Sequence, residues 1–248
     1  MKVVYHPRYT EVYESDPAAA PGRMEAIVKD LGGFDFIEPH TATLEDIRLC
    51  HAAHHIGYVQ RYGNVFEAAA LAAGGAILAA ETAMKGEPAF GLIRPPGHHA
   101  SQDSCWGFCF FNNMAIAVSR LIEQKKIKTA LILDFDLHFG DGTANIFGSN
   151  PDVTYFHPED GDRQEFVDHV GCFLGQFGAD IIAVSAGFDR HIEDWGRLLT
   201  TEDYKTIGRQ VTEFAIKNCA GRRFGVLEGG YNHDVLGRNV RAFLEGME

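Results

Sequence analysis

The stretch LDFDLHFGDGT, Leu133 to Thr143, sets three aspartates and a histidine directly behind an apolar run. Buried carboxylates without partners are costly, so this concentration of acid calls for a positive charge. Asp136 and His138 lie two apart and, in an extended segment, project to the same side. SAGFD brings a further aspartate, Asp189, to the end of a second apolar run. Two carboxylates and one imidazole around a divalent ion leave a position open for water or substrate, the pattern of catalytic rather than structural zinc. Fe²⁺ or another first-row ion suits the same ligands. Alone, Asp136 reads as a turn residue and His138 as a hydrogen-bonded core histidine. The cluster favours the metal.

RPPGHHA supplies two adjacent histidines, His98 and His99, and two carboxylates remain unassigned, Asp134 and Asp141. A carboxylate accepting an imidazole Nδ1–H fixes the tautomer and raises the basicity of the ring. Two such pairs beside the metal would accept and donate protons. Asp134 could equally be satisfied by backbone N–H groups or by a monovalent cation such as K⁺. In EGGY, Gly229 and its neighbour let Tyr231 swing inward, where its phenol could donate to a developing oxyanion. Gly107 and Phe108, in CWGFCFF, are candidates to line a narrow substrate channel. His51, His54 and His55 have no carboxylate at matching spacing and read as solvated or structural. GDGT lacks the lysine and context of a phosphate cradle.

These clusters need a frame that brings them together. Apolar or β-branched runs recur at Lys2–Tyr5, Ala89–Ile93, Thr129–Asp134, Val153–Phe156, Asp180–Ser185 and Arg223–Glu228. Several lack alternation, as expected of strands covered on both faces. Helical stretches separate them at Val65–Lys85, Asn112–Gln124, Arg163–Phe177, Thr201–Cys219 and His233–Leu244, with Thr201 suited to open its helix. Strands alternating with helices imply an α/β protein with a parallel sheet. The polar clusters then fall at the carboxyl ends of four strands, where such sheets place their ligand crevice. With no linker, repeat or low-complexity segment, residues 1–248 read as one domain.

The formal net charge of −12 argues against a general nucleic-acid binder. Five cysteines, none at C-x-x-C spacing, fit reduced thiols rather than disulfides or a zinc knot. No signal-like start is seen and no segment is expected to approach an uncharged membrane span, which makes the cytoplasm the expected location.

Taken in order, RPPGHHA, GFCFFNN, LDFDLHFGDGT, SAGFD and LEGGYN resemble the histone deacetylase superfamily, which includes acetylpolyamine amidohydrolases. The resemblance runs from about PGRMEAI to LEGGYNHDVLGRNV. It implies the arginase/deacetylase fold, a central parallel sheet of about eight strands with helices on both faces. It also implies a Zn²⁺-dependent hydrolase that removes acetyl or other acyl groups from amines such as acetyl-lysine or acetylpolyamines. By motif position Asp136, His138 and Asp189 become zinc ligands, His98 pairs with Asp134 and His99 with Asp141. Tyr231 polarises the amide carbonyl, and Phe108 walls the acyl-lysine channel. His99 is the expected base, with His98 stabilising charge.

The departures from the family pattern are specific. Phe139 stands where many members have a second histidine, which should make the pocket more apolar. PEDGDRQEF replaces a Gly/Phe-rich loop that carries a second channel aromatic. Tyr155 stands where a serine often helps hold potassium. Between GYVQRYG and the alanine-rich helix there is no room for the usual rim loop, so a wider entrance is expected. Gly196 falls about where polyamine-selective members carry a glutamate, with Glu193 close by. Two other readings keep the same residues: a metal-dependent binder of acylated ligands without turnover, and a hydrolase of other amides or esters. The physiological substrate and the oligomeric state are open from sequence.

Overall fold

The computed structural model describes residues 1–248. In chain order the elements are β1 (Lys2–Val4), α1 (Arg23–Asp30), β2 (Asp35–Ile37), α2 (Leu44–Ile47), α3 (Ala53–Val59) and α4 (Gly63–Met84). Then come β3 (Ala89–Gly91), α5 (Asn113–Glu123), β4 (Ala130–Asp134), α6 (Asp141–Phe147) and β5 (Val153–Phe156). The chain ends with α7 (Arg163–Leu174), β6 (Ile181–Ala186), α8 (Thr201–Asn218), β7 (Arg223–Leu227) and α9 (His233–Met247).

The seven strands form one parallel sheet in the order β2-β1-β3-β7-β6-β4-β5. That is one fewer than the expected eight or so. The strand that sequence patterning missed, β2, is a three-residue edge with two exposed positions, so it carries no buried apolar run to read. Every residue of β4, β6 and β7 is buried. α4 lies against β1, β3 and β7 and packs on α5, whereas α8 lies against β6 and β7 and packs on α7 and α9. Since β7 is buried throughout and touched by both sets, the sheet is sandwiched between them, which accounts for the unbroken apolar runs.

Expected and observed helices agree within a few residues. At α8 the chain enters the helix one residue earlier than expected. Thr200 is the N-cap, its N–H and hydroxyl both donating to Asp203 at 2.7 Å. α4 is long and apolar enough to cross a bilayer, although it carries Glu67 and Glu81 and so is not an uncharged span. Here its alanine-rich surface is mostly buried against the sheet and α5, the situation of a core helix. All five cysteines are free.

Candidate active site

RPPGHHA follows β3, DFDLH follows β4, GFD follows β6 and EGGY follows β7, and these four strands are contiguous at the middle of the sheet. Parallel register aligns Asp134 with Ser185 and Ser185 with Val226. The ladder runs on past the strands, Phe135 N–H donating to Ser185 O (3.2 Å) and Phe188 N–H to Gly229 O (3.0 Å). Phe135 sinks among Phe188, Tyr204 and Phe243, ring centroids 5.1–5.8 Å away. With that side chain anchored in the core, its neighbours Asp134 and Asp136 turn toward the crevice.

Ligand atoms of Asp136, His138 and Asp189 all lie within 4.8 Å of one another. His138 Nδ1 is 3.3 Å from Asp136 Oδ1 and 3.3 Å from Asp189 Oδ2. Backbone N–H groups hold the carboxylates in place: Gly229 donates to Asp136 Oδ2 (2.8 Å) and Leu137 to Asp189 Oδ1 (3.0 Å). Asp189 Oδ2, fully buried, accepts no hydrogen bond. A buried carboxylate oxygen with no donor of its own is suited to a cation, so the donor set fits a divalent metal. Gly229 has to be glycine, since a Cβ would fall 2.8 Å from Asp189 Oδ2. His138 is held up at about 10 by the carboxylates beside it, first Asp136, to which its ring is hydrogen-bonded, then Asp189. Burial, then the charge of Asp136, pushes Asp189 up to about 6. A second cluster, His98, Cys109 and Glu228, is as compact, but there both glutamate oxygens are already taken, by Gly97 N–H, His98 N–H and the Ser185 hydroxyl.

Both expected histidine pairs form. His98 Nδ1 is 3.0 Å from Asp134 Oδ2, and His99 Nδ1 is 2.7 Å from Asp141 Oδ1. Burial disfavours charge on His98, but Asp136 and Asp134 outweigh it and hold the ring well above its ordinary range. Burial and the neighbouring His98 instead push His99 down to about 4.

A cavity of about 120 Å³ opens over these groups. His98, His99, His138 and Tyr231 reach it, together with Gly107, Phe108 and Gly229. The Tyr231 ring stands edge-on to Phe108 at 6.1 Å, and burial raises its phenol. Gly107 and Phe108 both take positive φ, 59° and 65°. For phenylalanine that conformation is unfavourable, and it turns the ring to the cavity. At Gly107 a Cβ would press on the His99 ring.

Several residues that sequence reasoning did not single out complete the site. Trp106 packs against His99, ring centroids 3.9 Å apart and tilted by 34°, and donates from Nε1 to Asp141 Oδ2 (2.9 Å). Trp195 stacks on Tyr231 at 4.0 Å. These tryptophans line the cavity and are 55% and 49% exposed, so they form its mouth. Asp194 accepts from the N–H groups of Tyr231 and Asn232, both at 2.8 Å. Arg23, fully buried, donates to Glu228 O and Gly230 O and fixes the turn before Tyr231. Asn112 joins Ala100 O to Thr143 Oγ1, and His51 bridges Ser101 O and Asn112 N–H. His51 and His55 are therefore structural, the latter bonded to Phe110 O.

Phe139 does not make the pocket more apolar. It lies outside the cavity lining, 48% exposed, against Tyr155 and His157. Only residues 60–62 separate α3 from α4, as the missing rim loop requires. Glu193 is engaged with Arg238 at 2.7 Å. The surroundings of Asp134 fit potassium poorly, because the Tyr155 phenol stands against its carboxylate and the Arg190 guanidinium holds the carbonyls of the loop behind it. Asp136 N–H donates to Oδ1, and His98 and the Tyr155 hydroxyl (2.9 Å) bind Oδ2.

Comparison with known proteins agrees with this geometry. The sequence model of the histone deacetylase domain matches residues 17–162 and 157–247. A protein of Methanothermobacter thermautotrophicus named probable deacetylase is 30% identical, covering 100% of this chain and 91% of its own. One of the same name from Archaeoglobus fulgidus is 32% identical over 93% of this chain and 81% of its own. The crystal structure of the HDA15 HD domain superposes with a TM-score of 0.83 at 25% identity, covering 99% of this chain and 90% of that one. Matched along nearly its whole length in both sequence and fold, the chain belongs to the histone deacetylase family.

Proposed function

We propose that the chain is a metal-dependent amidohydrolase that removes an acetyl or other acyl group from an amine, with acetyl-lysine and acetylpolyamines as its substrate class. One observation carries the reading: the Asp136–His138–Asp189 cluster shares a cavity with His99 and Tyr231. Those three residues would hold Zn²⁺, with Fe²⁺ suiting the same donors. When bound, the ion supplies Lewis-acid polarisation and makes water acidic near neutral pH.

The remaining chemistry belongs to the side chains. His99, held low by burial, is neutral at pH 7, and Asp141 holds its Nδ1. Its Nε2 is then the basic atom, able to take a proton from water and return it to the departing amine. His98 carries positive charge beside it and stabilises the negative charge that develops. The Tyr231 phenol, kept protonated by burial, donates to the oxyanion. Phe108, Trp106 and Trp195 supply apolar walls for the methylene stem of the substrate.

Tyr231→Phe should cut turnover of an acetyl-lysine reporter by about 10²–10³-fold, the usual cost of one oxyanion donor, with the metal content of the purified protein unchanged. Undiminished turnover would remove Tyr231 from the mechanism. Assaying acetyl-lysine peptides, acetylated polyamines and longer acyl chains side by side identifies the substrate. A pure binder would retain ligand and hydrolyse none of them.

A further inference from the structure

Asp134 is wholly buried and sits at the base of the loop that carries the metal ligands. Two unusual side chains surround that loop. Tyr155 pairs in register with Ile132, two residues before Asp134 on the same face of β4, and its hydroxyl reaches diagonally to Asp134 Oδ2. The same hydroxyl accepts the Gly140 N–H at 2.9 Å and so holds the far end of the loop as well.

Arg190, next in sequence to the ligand Asp189, is 6% exposed. Its Nε donates to Phe135 O (3.2 Å) and Asp136 O (3.0 Å), and its Nη2 lies 3.4 Å from Leu137 O. Nη2 also donates to Pro158 O (3.0 Å) and His157 Nε2 (3.1 Å), beyond β5. Three successive carbonyls of the metal loop thus converge on one buried guanidinium, backed by the Phe166 ring at 4.8 Å. Carbonyl oxygens gathered around a buried positive charge, next to an aspartate, are the environment a monovalent cation would otherwise create.

We propose that Arg190 and Tyr155 are positioning residues that take the place of a bound monovalent cation, so that the metal loop and the Asp134–His98 pair stay ordered without potassium or sodium. The guanidinium supplies a fixed charge to the loop carbonyls, and the phenol supplies the remaining contact to Asp134. Neither lines the cavity. The geometry rests on the loop itself, and only the activity readout below depends on the proposed hydrolase function.

The test compares the wild-type protein with Tyr155→Ser and Tyr155→Phe in chloride salts of potassium, sodium and choline at about 100 mM, a concentration at which any cation bound only by the folded state raises its stability. For the wild type, the thermal midpoint and kcat/KM should be the same in all three salts. Tyr155→Ser opens room beside Asp134. It should have a lower midpoint in choline, recovered saturably by potassium, with activity following. Tyr155→Phe keeps the ring in that space and loses the hydroxyl, so it should lose activity with no recovery in any salt. If Tyr155→Ser does not fold, the wild-type midpoint and Tyr155→Phe still decide. A saturable rise in the wild-type midpoint with potassium or sodium overturns the proposal, as does unchanged activity in Tyr155→Phe. A wild type that ignores the salts in its midpoint yet hydrolyses no acylated amine would sink the functional reading and leave this inference standing.

Discussion

His98 and His99 are neighbours, and each gives its Nδ1 to an aspartate, at 3.0 and 2.7 Å. The two rings nonetheless titrate in opposite directions, His98 far up and His99 down to about 4. What differs is the ground on which each pair stands. Asp134 is wholly buried with Asp136 nearby, whereas the Asp141 side chain is 37% exposed and shares its charge with Trp106. The charged His98 then depresses His99 further, since like charges at close range disfavour one another. A cation held by Asp136 would offset part of the pull on His98 and leave Asp134 as its anchor. One motif of two identical residues thus yields a charge-bearing ring and a proton-accepting ring.

Single substitutions test that division most strongly. His99→Ala should lower kcat by about 10²–10⁴-fold, the span of a lost general base. His98→Ala, losing one charge-assisted interaction, should cost about 10–100-fold. Steady-state kinetics on both variants decides the matter, and a larger loss in His98→Ala would invert the roles.

Stability should split the two carboxylates. Asp134→Asn breaks a buried charged pair and should lower unfolding stability by about 3–5 kcal/mol. Asp141→Asn, at the surface, should cost under about 1 kcal/mol. Denaturant midpoints measure both, and equal losses would mean that the pairs do not differ in burial as described.

How much of this was written in the sequence depends on which residue is asked. Asp136, His138, Asp189 and the two histidines were legible because each cluster follows an apolar run, whereas the family resemblance supplied which aspartate each histidine meets. Parallel strands send such run-ends to one edge, and here they come from four adjacent strands. The edge strand β2 and the α6 helix behind Asp141 were not legible, the one being largely exposed and the other a single short helix. Arg23, Asp194 and Arg190 were missed for another reason. Each acts through backbone groups far away in sequence, Arg23 on Glu228 and Gly230 for example. No local pattern announces such a contact. Tyr155 drew notice only as a departure from the family pattern, and its bond to Asp134 needed the β4–β5 register.

His51 separates burial from carboxylate as causes of the contrast. It is buried with no aspartate partner, and burial, then His55, pushes it down to about 3. Its Nδ1 donates to Ser101 O while Nε2 accepts from Asn112 N–H, a pattern that only the neutral ring can satisfy. Because the folded-state value lies below the unfolded one of 6.5, the unfolded chain takes up the proton first. Stability contributed by the neutral ring is therefore present above about 6.5 and lost as pH falls toward 3. Between roughly pH 7 and pH 5 the wild type should lose about 2 kcal/mol more than His51→Gln. Parallel stability curves would refute burial as the cause.

The smallest expected effect isolates Trp106. Its indole N–H takes one oxygen of Asp141 while its ring covers His99, so it both weakens the carboxylate and shields the base. Trp106→Phe keeps the ring and removes the donor. Asp141 is then free to act more fully on His99, whose pKa should rise. The acidic limb of the kcat profile should move to higher pH, with kcat falling about 3–10-fold at neutral pH, as for one hydrogen bond of ordinary strength, since this one is half-exposed. KM should hardly change in Trp106→Phe and should rise in Trp106→Ala, where the wall of the mouth goes too. A wall residue alone would raise KM in Trp106→Ala and leave the pH profile of Trp106→Phe where it was. A shifted limb in Trp106→Phe therefore shows that the exposed partner of Asp141, and not burial alone, sets the basicity of His99.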